Sequence, residues 1–138
     1  PAARQERYGM MLAQAGVDYI VGSHPHVLQP YEPLLYGEGT TPYIYSMGNF
    51  TSAMLKPITK ETIILSLTLE KTKSGKVVLA DQTYYPCYML DEYEKEPFVL
   101  IPEDKNYNGS FYENAPAALV KQLKKNFEHI RKIVGKLD

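Results

Sequence analysis

Residues 17–29 read VDYIVGSHPHVLQ, and how this stretch is read decides the fold. VDYIV, an apolar run between Gly16 and Gly22, predicts a buried strand over residues 17–21. Two of the three histidines, His24 and His26, follow it directly. They stand just past the C-terminal end of a strand, where open α/β sheets bind ligands. Pro25 pushes His24 out of the helical region toward extended conformations. Side chains two apart on an extended segment point the same way. His24 and His26 are therefore candidates to face one target, and neutral imidazole is the commonest metal ligand. The plainer alternative is two partly exposed loop imidazoles held by backbone hydrogen bonds.

Working outward, residues 3–15 predict a helix with Tyr8, Met11, Leu12 and Ala15 on its apolar face and Gly16 as its stop. Helix, glycine and apolar strand form an αβ unit of layered α/β folds. Residues 30–36 predict a short strand, 37–41 (GEGTT) a turn, and 42–46 a second strand. The resulting hairpin presents Gly48 and Asn49 near the histidine loop. Asn49 could donate to a substrate oxygen, or could serve only the turn, since Gly and Asn both tolerate positive φ. Ser46 lacks the neighbouring base and elbow sequence of a nucleophile.

Residues 61–71 alternate cleanly, 73–76 (KSGK) turn, and 77–85 return, giving a second hairpin. Residues 91–97 read as an acidic loop whose Asp91, Glu92, Glu94 and Glu96 match no calcium-loop spacing. Residues 98–101 read as an edge strand and 102–114 as a polar loop. Asn114 is expected to cap a last helix with Pro116 in its first turn. Its apolar stripe is Leu119, Val120, Leu123, Phe127, Ile130 and Val134. The lysines and arginines of that helix suit a solvated face, and His129 a structural place. The organisation predicted is residues 1–101 as one α/β unit, with residues 102–138 as a loop and helix packed on it.

Composition fits a globular piece: 138 residues, 44% hydrophobic and 22% charged. A net charge of −1 gives no electrostatic reason to expect nucleic acid as a partner. Twelve tyrosines without a tryptophan suit half-buried β positions or, alternatively, an interaction surface. A single cysteine, Cys87, excludes an internal disulfide and a Cys-rich zinc site. No signal peptide and no 18-residue apolar span is present.

GSHPHVLQ at residues 22–29 and YSMGNF at residues 45–50 resemble the closing motifs of the CapA-like family of bacterial poly-γ-glutamate (capsule) synthesis proteins. Those motifs read close to GHHPHVLQ and YSLGNF. Ser23 departs from the family's histidine, and Met47 replaces a leucine at similar volume. The resemblance implies the C-terminal part of a four-layer α/β/β/α sandwich of the calcineurin-like metallophosphoesterase type. It implies that His24 and His26 are metal ligands, one for each of two divalent ions (Mn, Zn or Fe), with Gln29 and Asn49 beside the metals or facing substrate.

A two-metal centre also needs carboxylates and further histidines. None of the motifs that carry them precedes Gly22. The resemblance therefore implies a missing N-terminal half as partner, a metal-dependent hydrolase only when that half is present, and no metal on these residues alone. Components of a poly-γ-glutamate synthesis complex, or a second copy of the chain, are further expected partners. The implied location is the extracellular face of the cell membrane or the cell surface. A non-catalytic surface scaffold of the polymer-synthesising complex is the alternative function.

Overall fold

The computed structural model describes residues 1–91 and 95–137. It is mixed α/β, with three α-helices and eight strands among the described residues. Helix α1 (Ala3–Gln14) closes on a paired terminus, in which the Gly16 N–H donates to Ala13 O at 3.0 Å and the Val17 N–H to Leu12 O at 3.1 Å. The expected glycine stop is in place. The expected apolar face is not: Tyr8, Met11 and Leu12 are exposed, while Gly9 and Ala13 are buried. These two small residues, four apart, let the helix lie against Tyr43 and Leu34, whose atoms come within 3.0 Å of where a Gly9 Cβ would stand. Close approach of the backbone decides the buried face here, not side-chain size.

The strand expected over residues 17–21 shortens to β1 (Ile20–Val21). It pairs in parallel with β5 (Tyr43–Met47), which pairs antiparallel with β2 (Leu28–Tyr31), giving the order β1-β5-β2. The strand expected over residues 30–36 is two strands, β2 and β3 (Leu34–Tyr36), and β3 pairs with β4 (Gly39–Thr41). One register runs through the whole hairpin, from Leu28↔Met47 to Tyr36↔Gly39. In that register Pro33 stands opposite Pro42, and the named strands are interrupted at that position.

The second sheet is β6 (Glu61–Lys71), β7 (Val77–Leu90) and β8 (Val99–Pro102), all antiparallel. The predicted hairpin and edge strand are borne out, with β7 running past residue 85 to Leu90. Residues 102–114 are not a loop: α2 (Lys105–Asn114) starts where the Asp104 carboxylate accepts the Asn106 N–H at 2.8 Å, and it kinks at Asn108. Asn114 ends α2 and does not cap the last helix. That role falls to Pro116, and α3 runs from Ala117 to Val134. Asp104, two residues before the first amide it accepts, was the cap signal in the sequence. Of the acidic run, Glu92 and Glu94 lie outside the described residues.

The α3 stripe is as expected: Leu123, Phe127, Ile130 and Val134 are buried against Leu28, Tyr31, Ile44, Ile63, Ile101 and Phe111. A second, smaller core holds Ala13, Ile20, Leu34, Tyr43 and Tyr45 under α1. Glu61, itself buried, accepts from His129 Nδ1 at 2.8 Å and so ties α3 to the start of β6. No helix among the described residues is long and apolar enough to cross a membrane.

Candidate functional site

The histidine loop, residues 22–27, joins β1 to β2 and is fixed from below by β5. The Gly22 N–H donates to Ile44 O at 2.7 Å. Ser46, fully buried, donates its hydroxyl to Pro25 O at 3.0 Å and accepts the Gly48 N–H at 3.2 Å. With that hydroxyl committed to the loop, Ser46 is a structural residue. Gly48 has φ +73°, and a Cβ there would come 2.5 Å from Glu61 O, so β5 can cross to β6 only with glycine at this position. The crossing is held by the Gly48–Thr62 bridge and by the Thr62 hydroxyl donating to Met47 O at 2.7 Å.

His24 does not take the extended conformation expected before Pro25. Its φ is +91°, in the left-handed region. A proline restricts its predecessor chiefly away from the helical region, and here the tethers on both sides of His24 carry the chain through a positive turn instead. The side chain is exposed and has no hydrogen-bond partner among the described residues. A non-glycine residue at positive φ costs on the order of 1–3 kcal/mol and persists only where its surroundings enforce it.

His26 is exposed, but its ring is held. Nδ1 lies 2.8 Å from Asn49 Oδ1. Asn49 Nδ2 in turn donates to Thr59 O at 2.9 Å and to His26 O at 3.3 Å. Asn49 thus joins the first motif, the second motif and the 3-10 turn at residues 57–59 that precedes β6. Its amide is spent on the protein. The Gln29 amide is spent likewise, in a reciprocal pair with Gln5: Gln5 Nε2 donates to Gln29 Oε1 at 2.6 Å and Gln29 Nε2 to Gln5 Oε1 at 3.3 Å. The structure therefore brings His26 and Asn49 together and places Gln29 on the α1 side of the sheet. Nothing in the residue pattern marks Thr59 or Gln5, because one acts through a backbone carbonyl and the other is an ordinary helix-surface residue.

Among the described residues no group of three or more His, Cys, Asp or Glu side chains converges as a metal cage. His24 and His26 are both exposed on the loop, and imidazole is a ligand type that suits Zn²⁺, Mn²⁺ or Fe²⁺, but two imidazoles do not close a shell.

Residues 1–54 match the family described as bacterial capsule synthesis protein PGA_cap. Over these residues the chain is similar to that family. It is 37% identical over 76 residues to the PGA biosynthesis protein CapA of Bacillus subtilis (strain 168), covering 55% of this chain and 19% of that protein. It is 46% identical over 50 residues to the capsule biosynthesis protein CapA of Bacillus anthracis, covering 36% of this chain and 11% of that protein. The chain spans less than a fifth of the length of these curated relatives. No solved structure matches it significantly. The CapA-like match covers both motifs, together with α1 and every strand from β1 to β5.

Proposed function

We propose that this CapA-like chain serves bacterial capsule (poly-γ-glutamate) synthesis at the cell envelope, and that residues 22–49 supply the two-histidine side of a divalent-metal, hydrolase-type site. The observation that carries the reading is the 2.8 Å contact between His26 Nδ1 and Asn49 Oδ1. It joins the two family motifs and leaves an imidazole of the first motif oriented by the second, as metal-ligating histidines commonly are by a neighbouring oxygen. His24 and His26 would hold the ions. A bound metal pair would supply an activated water and a polarised phosphoryl or acyl oxygen. The remaining ligands would come from the other half of a four-layer sandwich. That half would also cover the exposed Tyr8, Met11 and Leu12 of α1, and a second copy of the chain is the other occupant to test for.

Calorimetric titration of the CapA-like protein with Zn²⁺ or Mn²⁺ tests this. The H24A/H26A double variant should bind at least about tenfold more weakly, and equal affinity would refute the metal assignment. These 138 residues alone should not hydrolyse a generic phosphoester. Chelator-sensitive turnover by them would refute the view that further ligands come from elsewhere.

A further inference from the structure

We propose that Asn49 is a positioning residue that fixes His26 as its Nδ1–H tautomer and so makes Nε2 the ring's donor atom toward a divalent cation. The metal clause rests on the function proposed above; the tautomer clause does not.

The chemistry of the amide forces the assignment. Asn49 Nδ2 lies 2.9 Å from Thr59 O and 3.3 Å from His26 O. Both are carbonyl oxygens, which only accept, so the nitrogen end of the amide must face them. The oxygen end is then committed to the ring, 2.8 Å from His26 Nδ1. Two acceptors cannot share that distance without a proton between them, so Nδ1 carries it. In a neutral imidazole the other nitrogen, Nε2, then keeps its lone pair. Flipping the amide would set nitrogen against the ring and oxygen against two carbonyls, losing two of the three hydrogen bonds and only reversing the third.

The lock does not depend on His26 being buried, because its partner is itself held. Gly48 leaves β5 at φ +73° with its backbone against Glu61 O, which fixes where Asn49 begins. Thr59 sits in the 3-10 turn, where its hydroxyl donates to Lys56 O at 2.7 Å. The second motif thus orients the first without reaching a substrate. The glycine gives the bend, and the asparagine, with a donor and an acceptor on one planar group, reads two carbonyls and a ring nitrogen at once. A carboxylate in its place would keep the ring contact and repel the carbonyls. An aliphatic residue would keep neither.

Long-range ¹H–¹⁵N NMR on protein labelled at histidine nitrogen, at a pH where free imidazole is neutral, reads the tautomer directly. His24 and His129 serve as internal references. His26 should show a protonated Nδ1 and a lone pair on Nε2. In N49A or N49L that preference should relax to a mixture, while N49D, which retains an oxygen toward the ring, should keep it. A wild-type His26 protonated on Nε2 overturns the proposal with no variant needed. So does an unchanged tautomer in a folded N49A. Zn²⁺ titration separates the two clauses. With the metal reading correct, N49A should bind about 10–100-fold more weakly. A locked tautomer with no Zn²⁺ binding by the wild type keeps the positioning role and removes the metal from it. Zn²⁺ binding that depends on His26 but not on Asn49 removes the positioning role and keeps the metal.

Discussion

Gly22→Ala is the substitution that most directly tests how the histidine loop is held. A Cβ at position 22 would stand 2.2 Å from Tyr45 O, 2.7 Å from Tyr45 C and 2.9 Å from Ile44 O, all backbone atoms of the central strand. Against a comfortable heavy-atom separation of about 3.5 Å, relief needs a displacement on the order of 1 Å. No side chain can turn away to provide it, so β1 itself must move off β5. That movement breaks the 2.7 Å bond from the Gly22 N–H to Ile44 O. An orphaned amide costs about 1–3 kcal/mol and overpacking a further 1–3 kcal/mol. Stiffening the unfolded chain returns about 0.4–1 kcal/mol. A net loss of roughly 2–4 kcal/mol is expected, a large part of the ~5–15 kcal/mol that holds an ordinary domain. Urea denaturation measures it, with Gly109→Ala as the control. Gly109 lies in α2, no heavy atom stands within 4 Å of its Cβ position, and its φ is not left-handed, so alanine there should be neutral or stabilising by up to about 1 kcal/mol. A G22A protein within about 0.5 kcal/mol of the wild type would refute the account of close strand contact.

Two further outcomes follow from the same structure. At His24, with φ +91°, glycine relieves a left-handed penalty of about 1–2 kcal/mol and alanine does not, so H24G should melt above H24A; equal melting temperatures would show that the positive φ carries no strain. Burial pushes the Cys87 thiol from 9.0 to about 11, and burial likewise raises Tyr19 and Tyr112 from 10.0 to about 12. The unfolded chain ionises first. The stability these groups contribute is thus complete below pH 9 and is lost as the pH climbs through about 11 to 12. Denaturation at pH 8 and 10.5 should show the fall, and a flat profile would contradict it.

What the sequence made legible was whatever rests on periodicity and glycine chemistry. The β6–β7 hairpin, the α3 stripe and the Gly16 stop follow from period-2 alternation, period-3.6 alternation and positive φ, and each is local. On α1 hydrophobic size points to Tyr8, Met11 and Leu12, whereas close packing selects Gly9 and Ala13. The Asn-, Gly- and Tyr-rich sequence of α2 predicts a loop because its helix propensity is low, while Asp104 at its start and Phe111 in the core hold the helix in place. At the site, the motifs named His24, His26, Gln29 and Asn49. They could not show that the Gln29 and Asn49 amides are spent on Gln5, Thr59 and His26, since those partners are set by tertiary approach.

The unbroken register from Leu28↔Met47 to Tyr36↔Gly39 makes the hairpin a ruler with a detachable end. His26 and Asn49 lie just beyond its open end, so their separation is fixed by the arms below Pro33 and Pro42 and not by the tip. Residues added or removed in pairs at Gly37 and Glu38 would lengthen or shorten the tip and leave the site's spacing unchanged. A single residue inserted between 28 and 31 would turn every later side chain of that arm to the opposite face. Length variation should therefore be tolerated at the far end of this hairpin and lethal near its base.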